Sequence, residues 1–212
     1  MATGSFDYRL APGKRLLICG KNGSGKSTFA YKYLDRSPYH WVLFNPKGTQ
    51  AFSGLSDQKV LDHKITGALV EQAVRKYKYV NIKFPNGWSW EFQDALLRHL
   101  CEQFTNIGFL IDELYYIHAS NGHAGTGLVG LLSRGRELRQ TFIGLAQRPK
   151  FISKFIFSEM SYVAEFELQI AADRKVIYDE IGLPEALIRQ RNHDFAFFDL
   201  ETDRVTQYRV AA

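Results

Sequence analysis

Apolar residues lie along this chain in short unbroken runs, separated by polar turns and by stretches with helical spacing. The runs Arg15-Leu16-Leu17-Ile18-Cys19, Trp41-Val42-Leu43-Phe44, Tyr79-Val80-Asn81-Ile82-Lys83-Phe84, Ile107-Gly108-Phe109-Leu110-Ile111 and Thr141-Phe142-Ile143-Gly144-Leu145-Ala146 predict buried strands. Between them, Phe29, Ala30, Tyr33 and Leu34 recur on one helical face, as do Ile65, Leu69, Val70, Ala73, Val74 and Tyr77. Leu96, Leu97, Leu100, Cys101 and Phe104 mark a third helix, and Leu128, Leu131 and Leu132 a fourth. Strands apolar on both faces that alternate with helices predict an α/β domain, a mainly parallel sheet flanked by helices.

The last third has a different rhythm. Ser161-Tyr162-Val163-Ala164-Glu165-Phe166-Glu167-Leu168 alternates like a half-buried strand, and Leu183 to Ile188 reads as a helix with Pro184 in its first turn. Phe195 to Leu200 and Val205 to Val210, joined through Glu201-Thr202-Asp203-Arg204, predict a closing β-hairpin. No repeat, low-complexity tract or linker divides the chain, so its 212 residues are expected to form one domain. Within it, residues 1–13 are a polar, glycine-containing lead-in, residues 14–150 the core, and residues 151–212 the C-terminal strands and hairpin.

Composition narrows the class without choosing a function. With 45% apolar and 23% charged residues the chain reads as an ordinary globular protein. Its net charge of +5 and pI near 9.1 permit a polyanionic partner without requiring one. Cys19 and Cys101 are expected to be small hydrophobes in a reducing compartment. The histidines show no metal-ligand spacing; His118 and His123 merely flank a glycine-rich loop, Ser120 to Gly127. No signal peptide and no membrane-spanning apolar run is evident, so a cytoplasmic location is expected.

The chemistry starts where the first strand ends. Gly20-Lys21-Asn22-Gly23-Ser24-Gly25-Lys26-Ser27-Thr28 has the form G-x-x-x-x-G-K-[ST] and lies between a strand and a helix, the context a phosphate-binding loop requires. Its glycines let main-chain N–H groups and the positive end of the following helix surround a polyphosphate. Lys26 would reach the β- and γ-phosphates of ATP, and the Ser27 hydroxyl would ligate Mg2+. A second site half is expected at Asp112-Glu113, where an apolar strand ends at the carboxyl edge of the sheet. Asp112 is assigned to the Mg2+ shell and Glu113 to orienting or deprotonating the attacking water.

This pair of motifs resembles the P-loop ATPases of RecA-like type in which an acidic pair ends a strand. The segment Arg134-Gly135-Arg136-Glu137-Leu138-Arg139-Gln140-Thr141-Phe142-Ile143-Gly144-Leu145-Ala146-Gln147-Arg148-Pro149 is similar to the FtsK/HerA translocase superfamily: an arginine-bearing helix, an apolar strand, then Gln-Arg-Pro. Leu43-Phe44-Asn45-Pro46-Lys47-Gly48 resembles that family's second-strand Asp-Pro-Lys-Gly, with Asn45 where an aspartate is usual, and Arg139-Gln140 replaces the glycine common before the later strand. The resemblance covers roughly residues 14–150. It implies that Gln147 is a polar sensor of the γ-phosphate or attacking water, and that Arg136, or the nearby Arg134, is directed at a neighbouring subunit's nucleotide. The alternative for both arginines is a solvated helix end.

A small one-domain member resembles the genome-packaging ATPases of icosahedral double-stranded DNA viruses. That resemblance implies an ATP-driven motor, a homomeric ring of five or six subunits, double-stranded DNA in its channel gripped without base reading, and capsid vertex proteins as further partners. Residues 118–127 and 85–90 are the candidate channel loops; Trp88 and Trp90 suit core anchors better than nucleic-acid stacking. Two other readings remain open: a nucleotide-dependent switch or assembly protein, and a small-molecule kinase. The acidic pair and the absence of an arginine-rich lid weigh against the kinase.

Overall fold

The computed structural model describes residues 6–84, 88–117 and 123–209. Nine strands, β1 (Arg15–Cys19), β2 (Trp41–Phe44), β3 (Gln58–Leu61), β4 (Tyr79–Ile82), β5 (Gly108–Ile111), β6 (Thr141–Ala146), β7 (Tyr162–Glu165), β8 (Asp194–Asp199) and β9 (Arg204–Arg209), form one sheet in the order β3-β4-β2-β5-β6-β1-β7-β8-β9. Every pairing from β3 to β7 is parallel, and only the pairings β7–β8 and β8–β9 are antiparallel. Helices α1 (Lys26–Arg36), α2 (Gly67–Lys76), α3 (Trp90–Gln103), α4 (Thr126–Arg134), α5 (Lys154–Ser158) and α6 (Ala171–Ile181) cover the two faces. This is the mainly parallel sheet flanked by helices expected from the alternating strands and helices, in the P-loop NTPase form that the resemblance implies.

Each parallel strand except the edge strand β3 feeds both cores. In β1, Leu17 and Cys19 face the layer of α2 to α6, while Leu16 and Ile18 face α1. The lead-in belongs to the α1 face: the Phe6 ring meets those of Tyr8, Phe29, Tyr33, Phe195, Phe197 and Tyr208 at centroid distances of 4.9–6.1 Å. A segment that reads as polar is therefore stitched by its aromatic residues across α1 and the hairpin.

Several elements depart from the sequence reading, α5 among them, which it did not anticipate. β3 escaped it because three of its four residues are exposed or half-exposed at the sheet edge. α6 escaped it because Asp173 and Ile177 alone are buried in it, too few to make an apolar stripe. The segment around Pro184 is a one-turn 3-10 helix, Pro184–Leu187, rather than an α-helix. β7 lies between β1 and β8 and buries Val163, Ala164 and Glu165 completely, so its alternation reflects a buried acid rather than a wet face.

The glycine-rich stretch also changes meaning. Residues 85–87 and 118–122 of the proposed channel loops lie outside the described residues, but Gly125 and Gly127 are packed against α3. A Cβ on Gly125 would lie 2.2 Å from Asp94 Oδ1, and one on Gly127 would lie 2.2 Å from the Asp94 carbonyl oxygen. Asp94, itself buried, accepts from the N–H groups of Gly127 and Leu128 at 2.9 and 3.0 Å and so caps α4. Close helix packing, not flexibility, explains these two glycines. Trp88 packs edge-on against Phe92 at 4.3 Å and joins the core, while Trp90 opens α3 half-buried.

Candidate active site

At the carboxyl edge, β1 opens into the loop Gly20 to Gly25, fastened at its start to both neighbouring strands. Gly20 N–H donates to the Ala146 carbonyl at 3.0 Å and Lys21 N–H to that of Glu167 at 2.8 Å. Gly25 has φ 101°, the left-handed conformation glycine allows at no steric cost, and acts as the N-cap of α1 without a side-chain cap. The first N–H groups of α1 are thus left facing the edge, as an anion requires. Ser24 Oγ is buried there with no protein partner. Asn22, Gly23 and Thr28 are exposed and Ser27 is half-buried.

Lys26 is 8% exposed, and its ammonium donates to the Gly20 and Lys21 carbonyls at 2.6 and 2.9 Å. Burial lowers its pKa to about 8, against the pull of Glu113 and Asp112. Those acids follow β5. Asp112 Oδ2 accepts from Thr49 Oγ1 at 2.7 Å, and burial raises its pKa in spite of that bond and of Lys47. Glu113 has φ 79°, a strained conformation for a residue with a Cβ. Its carboxylate accepts from Lys47 Nζ at 2.7 Å and from the Gln147 N–H at 3.4 Å.

The turn after β2 explains Asn45. Its side chain accepts from Thr49 N–H at 2.8 Å while donating to the Thr49 carbonyl at 3.1 Å and to Asn81 Oδ1 at 3.3 Å. A carboxylate could not donate, so asparagine closes a turn that an aspartate would leave half-bonded. That turn carries Lys47 to Glu113 and Thr49 to Asp112.

β6 lies between β5 and β1, and this puts Gln147 between the acidic pair and the phosphate loop. The next residue is pinned from α6: Arg148 Nε donates to Asp173 Oδ2 at 2.8 Å, and Lys150 N–H to its Oδ1 at 3.2 Å. On the β7 side, Glu167 bridges Lys21 of the loop at 2.9 Å and Arg189 at 2.6 Å, and these hydrogen bonds hold its carboxyl below the usual range.

The structure thus gathers Gly20 to Thr28, Asp112, Glu113 and Gln147 at one edge. Arg134 and Arg136 are elsewhere. Arg134 ends α4 and Arg136 follows it ahead of the start of β6, at the opposite edge, where Arg136 pairs with Glu201 at 3.0 Å. Sequence reasoning missed Lys47, Thr49, Asp173, Glu167 and Arg189 as members of the site. Lys47 stood inside a recognised segment, but no local pattern marks the others.

Ser27 and Asp112 supply the hydroxyl and carboxylate oxygens a hard divalent cation prefers. The desolvated Asp112 carboxylate, held by a neutral hydroxyl, fits that role.

No family model matches the chain. It is 25% identical over 170 residues, 77% of its length and 68% of the relative's, to the DNA packaging ATPase P9 of Enterobacteria phage PRD1. Its fold is that of the genome packaging NTPase B204 of Sulfolobus turreted icosahedral virus 2, solved with ATPγS, at a TM-score of 0.78 and 13% identity, covering 96% of this chain and 100% of that one. VirB4 of Thermoanaerobacter pseudethanolicus shares the fold at a TM-score of 0.69 and 9% identity, with 93% and 89% covered.

Proposed function

We propose that the chain is a P-loop ATPase of the FtsK/HerA type, related to viral packaging enzymes, and that it hydrolyses ATP to drive double-stranded DNA into a preformed capsid. The observation that carries this reading is the convergence of the phosphate loop, the acidic pair and Gln147 on one sheet edge, in a chain related to a DNA packaging ATPase.

The phosphates lie against the main-chain N–H groups of the loop and the first turn of α1, with Lys26 turning from the Gly20 and Lys21 carbonyls to the β- and γ-oxygens. Ser27 and Asp112 would hold Mg2+, which when bound would draw charge from the phosphate oxygens. Glu113 accepts the proton of the water that attacks the γ-phosphorus, and Gln147 orients that water or the phosphate from the adjacent strand.

Arg134 and Arg136 cannot reach this nucleotide from the far edge of their own sheet, so their action requires a second subunit whose phosphate loop abuts that edge. This favours a homomeric ring, with DNA in its channel held through phosphates rather than base edges. Such a motor works in the cytoplasm of the host cell, at the capsid vertex; among the described residues no helix is long and apolar enough to cross a membrane.

ATPase rate with and without double-stranded DNA, at low and high salt, tests the motor reading. Strong stimulation that disappears at high salt is expected. A rate indifferent to DNA would overturn it in favour of a nucleotide-dependent switch.

A further inference from the structure

The ion pair between Lys47 and Glu113 has no part in the hydrolytic scheme above, although it occupies the group that must receive the water proton. Lys47 Nζ sits 2.7 Å from Glu113 Oε2. The pair is lopsided: the lysine side chain is 34% exposed and the glutamate 11%, so the cation is the end that opens toward the cleft. Its backbone is fixed by the closed Asn45 to Thr49 turn, in which Gly48 N–H also donates to the Asn45 carbonyl at 3.0 Å. The ammonium can therefore swing on its own four-carbon stem without disturbing Thr49, which holds Asp112. Lys26 and Asp112 belong to the same electrostatic cluster, since both feel Lys47 and Glu113.

We propose that Lys47 is a positioning residue that reads the terminal phosphate: it restrains Glu113 until a γ-phosphate takes its ammonium, and only then is the carboxylate free to receive a proton from water. This role of Lys47 rests on the ATPase reading of the site and adds a discrimination to it. Two lysines and two carboxylates balance in charge within the cluster. A γ-phosphate brings an acceptor of higher charge than one carboxylate, and Lys47 is the cation already exposed to it. A diphosphate ends one phosphate short of that position, so the Lys47–Glu113 pair persists and the hydrolytic group stays engaged. Idle turnover is thereby suppressed until the substrate with a bond to break is seated.

The test measures ATPγS and ADP affinities by calorimetry for the wild type, Lys47→Met, Lys47→Arg, Glu113→Gln and the Lys47→Met/Glu113→Gln double variant. Lys47→Met is expected to weaken ATPγS binding by about tenfold or more, the effect of one charge-assisted hydrogen bond, while leaving ADP binding within about twofold. Retained ADP binding also shows that the variant is folded. Lys47→Arg is expected to recover most of the discrimination. Glu113→Gln, which frees the ammonium, is expected to tighten ATPγS more than ADP, and that gain should vanish in the double variant. Equal shifts for both nucleotides in Lys47→Met, or a Glu113→Gln gain that survives in the double variant, would overturn the proposal and leave Lys47 a static brace. Lys26→Ala reports on the site itself: if it binds ATPγS like the wild type, the ATPase reading fails and this one with it.

Discussion

Glu165 offers the sharpest physical test of the fold around the site. It ends β7 opposite Cys19 in the β1 register, is 0% exposed, and neither carboxyl oxygen has a protein partner. Burial pushes its pKa up from 4.5 to about 9, with Arg174 pulling weakly the other way. Between those values the unfolded chain has lost the proton that the folded chain keeps. The unfolded state therefore binds fewer protons, and stability falls as pH rises, by about 1.4 kcal/mol per unit. Glu165→Gln replaces the neutral acid by a group of the same shape that does not titrate. The variant should match the wild type near pH ~5 and exceed its stability by up to about 4 kcal/mol near pH ~8, with no further gain above pH ~9. Urea unfolding at several pH values reads this as a midpoint difference that widens by about 1 M or more, given a slope near 3 kcal/mol per molar. A midpoint difference flat across pH would refute the reasoning, because it would mean that the folded protein holds Glu165 ionised.

Lys26→Ala should abolish measurable ATPγS binding, whereas Glu113→Gln should keep it and lose turnover by ~10²-fold or more, the scale of a lost general base; unchanged hydrolysis in the glutamine variant removes the assignment. Asn45→Asp, which takes away two donated hydrogen bonds in a buried turn, should cost about 1–2 kcal/mol in urea unfolding and slow hydrolysis through Thr49 and Lys47; an unaltered midpoint would show that the turn tolerates a carboxylate. Inactive Arg136→Ala subunits mixed with Lys26→Ala subunits should recover part of the ATPase rate if the arginine completes a neighbour's site. No recovery under conditions that permit assembly would return Arg136 to its local pair with Glu201.

What could be read from residues in sequence was whatever depends on near neighbours. Five apolar runs sit where β1, β2, β4, β5 and β6 formed, because a parallel strand buried on both faces must be apolar at most of its positions. The turn Gly20 to Gly25 between β1 and α1 was equally legible, since the glycines that allow its positive φ angles stand close together in the sequence. Asp112 and Glu113 were placed by their position at the end of a strand. Elements that owe their burial to distant partners left no such trace: β3 is held by pairing to β4, and α6 by Asp173 reaching Arg148 and by Ile177 in the core. Only the assembled sheet decided that β6 inserts between the acidic strand and the loop, that Lys47 meets Glu113 across 66 positions, and that Arg136 faces away from its own site. Local sequence can specify a backbone conformation, but charges far apart in the chain become an active site only when packing carries them to the same edge.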